Sequence, residues 1–272
     1  MCLIGDDDMY PFLLPELFDY TIPMYDLMVI IGVFLMMIYV VYRLDRFDGY
    51  SKKQTNRIVL LVGISLGVAL VSSFVLDGIF HSIKEGKWTF GTVSFLTALV
   101  GGFTAFLLLM NYFYKDDNKD MKKIANTLIT GVVLAHAIGR IGCFFAGCCF
   151  GIPTESYLGV LFPHGHAHEL YPGQEVYPTQ LFESGFLFLL FILLNKVSYF
   201  KHKELEVYLV GYGIWRFLIE FIRGDERGVF IPLFETTYNV FPTPSQVISL
   251  GMIILGGYLF YRLYHQKKKE LK

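Results

Sequence analysis

HAIGRIGCFFAGCCFG, residues 136–151, decides how the chain is to be read. An arginine and three cysteines stand in a run otherwise apolar enough to cross a lipid bilayer. A charge at membrane depth costs several kcal/mol unless something pairs with it. Arg140 therefore calls for a partner, and the three thiols beside it call for a reason.

The surrounding composition is that of a polytopic membrane protein. Hydrophobic residues make up 54% of the chain and charged residues 17%, with mean hydropathy +0.49, where a soluble domain carries about a quarter charged residues. The 272 residues include 26 Phe and 18 Tyr. The basic residues are scattered over loops and one short tail, which speaks against nucleic-acid binding. The opening MCLIGDDDMY is acidic and lacks the basic region of a cleaved signal peptide.

A span needs about 20 predominantly apolar residues. Seven stretches qualify: 24–42, 58–79, 90–114, 127–150, 180–199, 206–222 and 244–264. Counting Lys and Arg in the segments between them puts 17 on one side of the membrane and 4 on the other. The side with the excess is cytoplasmic. The expected fold is thus an all-α integral membrane protein of seven transmembrane helices, N-terminus outside and C-terminus cytoplasmic. It forms a single polytopic domain over 1–272.

This orientation sets the depth of each polar residue. The fourth span runs outward to Phe150, so Arg140 lies about 15 Å inside its outer end at the helical rise. His136, Arg140, Cys143 and Gly147 share one helical face, and so do Tyr212, Arg216, Glu220 and Arg223 on the sixth span. The fifth span enters from outside at YPTQLFESG and places Gln180 and Glu183 at its outer end. Each has a plain structural reading: Arg216 and Glu220 as a self-neutralising pair, Arg140 as the partner of Glu183, His136 as a core histidine. Together, three arginines against two carboxylates leave a cationic surplus in the outer half of the membrane. Arginine suits phosphate because its planar fork donates two parallel hydrogen bonds. The inferred ligand is an anionic phospholipid. Gly139, Gly142, Gly147 and Gly151 admit close approach of a lipid chain or, equally, of another helix.

At these residues a family can be recognised. GRIGCFFAGCCFG resembles the prolipoprotein diacylglyceryl transferase signature, approximately GRIGNFxNGExxG. YPTQLFES looks like that family's HPSQLYEA, and WRFLIEFIRGDERG like its RFxxEFxREPD segment. The resemblance implies a bacterial plasma (inner) membrane enzyme, multi-pass, with its active site at the outer leaflet. A prolipoprotein thiol would displace phosphate from the terminal glyceryl carbon of phosphatidylglycerol. Products would be a diacylglyceryl thioether and glycerol-1-phosphate. Carried over by position, Arg140 is the signature arginine, Arg216 and Glu220 the sixth-span pair, and Gln180 and Glu183 the fifth-span motif. The expectation is that Arg140, Arg216 and Arg223 hold phosphate, Glu183 and Glu220 orient those arginines, and Gln180 bonds the headgroup beside Gly142. No metal or organic cofactor is expected, and the resemblance gives no reason to require more than a monomer.

The sequence also departs from that pattern. Cys143 and Ala146 stand where the signature has asparagines, and Cys148 where it has glutamate. In the third span SFLTA aligns with the family's SFHGG, so Leu96 replaces a histidine and Thr97 a glycine. Groups suited to handling the acceptor's proton are therefore changed while the lipid-facing arginines are kept. The acceptor is then a prolipoprotein, or a different protein or small molecule reached by a cysteine-dependent route. A lipid-binding or thiol- or metal-sensing protein without catalysis is a further alternative. For Cys143, Cys148 and Cys149 three readings compete. One makes Cys148 or Cys143 a nucleophile in the transfer, its thiolate favoured by Arg140. Another is a disulfide, or a metal site shared with the HGHAHE segment (His164, His166, His168, Glu169). The last is simple packing at a crowded helix end. The histidine segment itself reads as a solvated loop, or as a lid supplying a base.

Overall fold

A computed structural model of the chain describes residues 12–13, 22–85, 95–113, 121–225, 234–235 and 240–270. It is mainly helical: α1 Met24–Arg46, α2 Lys52–Glu85, α3 Phe95–Phe113, α4 Met121–Phe145, α5 Gly165–Leu170, α6 Thr179–Lys196, α7 Glu204–Ile219 and α8 Pro244–Glu270. Three two-stranded antiparallel pairs accompany them, β1 (Phe12–Leu13) with β2 (Ile22–Pro23), β3 (Val160–Leu161) with β4 (Glu175–Val176), and β5 (Phe234–Glu235) with β6 (Val240–Phe241). Five helices are long and apolar enough to cross a membrane: α1, α2 as far as Val75, α4, α6, and α8 as far as His265. The other two expected spans coincide with α3, whose apolar part among the described residues is Gly101–Phe113, and with the 16-residue α7.

Caps in the sequence set several helix ends. Ser51 and Gln54 form a capping box before α2: the Ser51 N–H donates to Gln54 Oε1 at 3.0 Å, and the Gln54 N–H to Ser51 Oγ at 3.4 Å. TPSQ at 243–246 does the same for α8, with reciprocal bonds of 3.0 and 3.3 Å between Thr243 and Gln246. Pro244 occupies the first helical position, where a missing N–H costs nothing.

The chain divides into two compact units. In residues 39–124, α2 and α3 pack through small residues. A Cβ at Gly102 would lie 2.8 Å from that of Ala69, and one at Gly101 would collide with Ser72. Leu96 and Thr97 lie on α3, but their side chains are outside the described residues.

Residues 1–38 and 125–272 form the other unit. α6 and α7 pack with α4 around Val133, Ala137, Leu187, Leu190, Leu194 and Tyr212, and Trp215 stacks on Phe186 at 4.4 Å. Ser184 Oγ donates to Ala137 O across α6 and α4 at 2.8 Å. The segment between α4 and α6 is a packed cap rather than the expected open loop: Phe144, Phe150, Val160, Phe162, Ala167 and Val176 share one core, and HGHAHE forms the start of α5. Outward-facing apolar residues are abundant, among them Ile30 at 65% and Ile254 at 72% exposure, while Arg216, Arg223, Gln180 and Glu183 are buried. This inversion suits a molecule whose solvent is hydrocarbon.

Two expected helix ends need correction. The fourth span was expected to run to Phe150, but α4 stops at Phe145 because Gly147 adopts φ +61°. The Cys148 N–H returns to Cys143 O at 3.2 Å and the Gly147 N–H to Phe144 O at 3.0 Å, the paired bonds of a Schellman cap. Gly147 therefore leaves the face it was expected to share with Arg140. The sixth span was expected to carry Arg223 on the helical face of Arg216. Instead α7 tightens into a 3₁₀ turn at Glu220–Ile222, and Arg223 is extended (φ −75°, ψ 137°). The reason lies across the chain: Arg223 bridges to Gly151, and the Gly224 N–H donates to Phe150 O at 3.0 Å.

Candidate active site

Glu183 is the hub. Its side chain is 0% exposed, and Oε1 accepts from Arg140 Nη2 at 3.0 Å and from the Tyr212 hydroxyl at 2.8 Å. His136 Nε2 stands 3.7 Å from the same oxygen, with its ring edge-on to Tyr212 at 5.3 Å. One carboxylate of α6 thus gathers an arginine and a histidine from α4 and a tyrosine from α7. The sequence placed Tyr212 on the polar face of the sixth span but did not count it as a site residue. Its spacing four residues before Arg216 was the signal.

A second pair lies at the other end of α7. Arg216 Nη1 is 2.8 Å from Glu220 Oε2, and Arg216 Nη2 donates to Ser245 Oγ at 2.9 Å. Glu220 Oε1 accepts from Thr243 Oγ1 at 2.7 Å, so the residues that cap α8 also fix this pair. Arg216 lies within electrostatic reach of Glu183 and His136, which makes the two ion pairs one cluster. Arg223 is fully buried and forked onto Asp225, with Nε and Nη2 each 2.8 Å from a carboxylate oxygen. Burial holds the Asp225 carboxyl above the usual range, outweighing the pull of the Arg223 charge. Asp225 was missed in the sequence, although it follows the arginine by two residues.

The start of α6 grips the chain beyond α4. Gln180 Nε2 donates to Cys148 O at 2.6 Å and Thr179 Oγ1 to Cys149 O at 2.7 Å. The Gln180 amide N–H is thus spent on the cysteine turn, and its Oε1 alone is left for the expected headgroup. Gly142, expected to border the lipid, faces α1 instead, where a Cβ would lie 3.0 Å from that of Met28 and 3.2 Å from Tyr25 O. That is the helix-packing alternative.

The Schellman cap explains how the thiols meet. The residue three before the end of the helix and the second residue beyond it are brought into contact by this turn, usually as an apolar pair. Here both are cysteine, Cys143 and Cys148. Cys149 then turns back in the left-handed region at φ 64°, a conformation that costs a non-glycine residue about 1–2 kcal/mol. The three sulfurs lie within 4.8 Å of one another, partly buried and as free thiols. Arg140 and Arg223 are both within electrostatic reach of Cys149. Two histidines of the segment are engaged elsewhere: His166 Nδ1 pairs with Glu169 at 3.3 Å, and His168 Nδ1 meets Phe162 O at 3.1 Å.

Among the buried polar atoms that find no hydrogen-bond partner among the described residues are Arg140 Nε, Gln180 Oε1 and Glu183 Oε2. Such atoms are rare in folded proteins and concentrate where a ligand or water completes the bonding. A donor and two acceptors in one cluster suit a ligand carrying both phosphate and hydroxyl groups.

Comparison with known proteins points the same way. The family described as prolipoprotein diacylglyceryl transferase matches residues 13–262. The phosphatidylglycerol–prolipoprotein diacylglyceryl transferase of Clostridium tetani is 32% identical over 258 residues, 90% of this chain and 94% of that protein. Phosphatidylglycerol–prolipoprotein diacylglyceryl transferase 2 of Clostridium perfringens is 39% identical over 153 residues, where the match spans about half of each chain, 54%. The Prochlorococcus marinus subsp. pastoris enzyme of the same name is 35% identical over 192 residues, 66% of this chain and 62% of that protein. With the arginine cluster in place and the match running through nearly all of its length, the chain belongs to the prolipoprotein diacylglyceryl transferase family.

Proposed function

We propose that the chain transfers a diacylglyceryl group from phosphatidylglycerol to the cysteine thiol of a prolipoprotein, at the outer leaflet of a bacterial inner membrane. The observation that carries this reading is the convergence of Arg140 and Tyr212 on buried Glu183, with Arg140 Nε and Gln180 Oε1 still unpartnered beside them. The reading takes seven spans, with the N-terminus outside and the C-terminus in the cytoplasm, supported by the Lys and Arg asymmetry and by α3 and α7 lying near the expected third and sixth spans. The family match from 13 to 262 runs through both compact units, which supports a single transferase domain.

The acceptor thiolate attacks the terminal glyceryl carbon. A C–S bond forms, the C–O bond to phosphate breaks, and its electron pair leaves with glycerol phosphate. Charge develops on the phosphate oxygens, where Arg140 and Arg216 stabilise it in a site of low dielectric. Glu183 and Glu220 hold those two arginines in place, and Arg223 adds its charge from a position fixed by Asp225. Gln180 Oε1 accepts from a hydroxyl of the headgroup. Cys143 and Cys148 stand on the acceptor side, where the family pattern has asparagine and glutamate.

The test is turnover in liposomes containing phosphatidylglycerol labelled in both glycerol moieties, with a lipobox peptide or a membrane extract as acceptor. Release of labelled glycerol phosphate together with a diacylglyceryl-peptide supports the proposal. Release with the extract alone assigns a different acceptor to the same donor chemistry. No release under either condition refutes transfer.

A further inference from the structure

The three thiols are unexplained by the arginine cluster, and their geometry is specific. We propose that Cys143, Cys148 and Cys149 bind one zinc ion as thiolates and leave its fourth position open to the thiol of the acceptor. The proposal rests on the transferase reading above and departs from the expectation that no metal takes part.

Three observations carry it. First, the sulfurs lie within 4.8 Å of one another. Zinc–thiolate bonds of about 2.3 Å in a tetrahedron put sulfurs roughly 3.8 Å apart, so no pair has to close by more than about 1 Å. A disulfide would need a separation of about 2 Å and would leave one of the three thiols over. Second, the backbone is held for this arrangement. The cap at Gly147 sets Cys148 against Cys143, and Cys149 is kept in the left-handed region by the bonds from Gln180 and Thr179 to the cysteine carbonyls. Packing alone does not require a strained cysteine. Third, the group offers three ligand atoms and stays open: no histidine or carboxylate joins it among the described residues, and all three cysteines are only partly buried. A zinc site with three protein ligands and a free position is the catalytic rather than the structural kind. Three thiolates around zinc carry a net single negative charge, and Arg140 and Arg223 lie within electrostatic reach of it.

The site also fits what the chain lacks. Cys148 stands where the family pattern has glutamate and Cys143 where it has asparagine, so the carboxylate base of that pattern is missing beside the thiols. A thiol that coordinates zinc gives up its proton to water at neutral pH. The bound acceptor sulfur then attacks the glyceryl carbon, the C–O bond to phosphate breaks, and glycerol phosphate leaves with the electron pair. The neutral thioether formed is a poor ligand and departs, and zinc keeps its three cysteines. No electron changes hands.

The experiment uses the full-length chain in detergent or nanodiscs, with zinc counted by elemental analysis and replaced by cobalt for spectroscopy. One metal per chain and a thiolate-to-cobalt charge-transfer band are expected, both lost in Cys148→Ser and in Cys149→Ser. A lipobox peptide should shift the cobalt ligand-field bands, and the same peptide with serine for cysteine should not. Chelation should lower glycerol phosphate release by about 100-fold or more, the scale of a lost general base, and zinc should restore it. Substoichiometric metal, metal retained when all three cysteines are serine, or bands indifferent to the peptide thiol would each overturn the proposal. Full turnover by metal-free protein overturns it too, while leaving the transferase reading intact. Metal that answers to the peptide thiol without any glycerol phosphate release supports the thiolate site and refutes the transferase reading. Spectroscopy on the unmutated chain keeps the test valid if a serine variant fails to fold.

Discussion

Removing Glu183 should destabilise the protein far more than removing Glu183 and Arg140 together. Glu183 is wholly buried and Arg140 14% exposed, so the pair sits in the regime where losing one partner strands a charge at a cost of about 3–5 kcal/mol. Glu183→Ala also deprives the Tyr212 hydroxyl of its 2.8 Å acceptor, worth about 1 kcal/mol within that total. Glu183→Gln restores an acceptor but not the charge, and should recover only about 1 kcal/mol of the loss. Replacing both residues with methionine removes the stranded charge and fills the space, so its cost should fall to about 1 kcal/mol or less. The double replacement should thus cost about 2–4 kcal/mol less than Glu183→Ala alone, well above the additivity error of roughly 0.5 kcal/mol. Reversible unfolding in mixed micelles of sodium dodecyl sulfate gives these differences, followed by Trp215, whose stacking on Phe186 spans α7 and α6. Additive single substitutions, or a Glu183→Ala cost below about 1 kcal/mol, would show that the carboxylate is not the hub described here.

Three other outcomes are expected. Arg216→Lys keeps the charge but cannot reach both Glu220 and Ser245, so kcat/KM for phosphatidylglycerol should fall about 10²–10³-fold, whereas His166→Ala, in an exposed pair, should leave it unchanged. Thr243→Val removes the cap of α8 and the hydrogen bond its hydroxyl donates to buried Glu220, for a loss of about 2–3 kcal/mol in the same unfolding assay, most of it returned by Thr243→Ser. Gly147→Ala puts a side chain on a left-handed residue and 2.6 Å from His164 O, so it should cost more than about 2 kcal/mol and weaken cobalt binding. Unchanged cobalt binding there would detach the cap from the thiol geometry.

The long apolar runs and the helical spacing of polar residues were legible in the sequence because both depend on composition and a 3.6-residue period. Arg216 and Glu220 came out as partners for that reason, and Arg140 with Glu183 because both fall in the outer half of their spans. What the period could not supply was its own end. α4 ends in the left-handed cap at Gly147, and α7 stops short of the expected limit because Phe150–Ile152 and Ile222–Gly224 bond to each other, a pairing of segments some seventy residues apart. The role of Gln180 was hidden for the same reason: its side chain holds Cys148 O, and a carbonyl's position is not written in residue type. The order of the 151–178 segment likewise comes from aromatic packing between residues that local propensity would leave in a loop.

The glycines around this centre have one more consequence. Gly147 and Gly165 meet backbone to backbone, a Cβ on the latter falling 2.5 Å from Ala146 O, and Gly151 and Gly224 do the same. The path of the chain is thus fixed by atoms every residue shares, and it places few demands on the side chains between. Cys143, Ala146 and Cys148 occupy positions that the family pattern gives to other residues, and none of the backbone contacts that set the turn depends on their side chains. A lineage built this way can trade one reacting group for another by single substitutions, without first having to evolve a new shape to hold it.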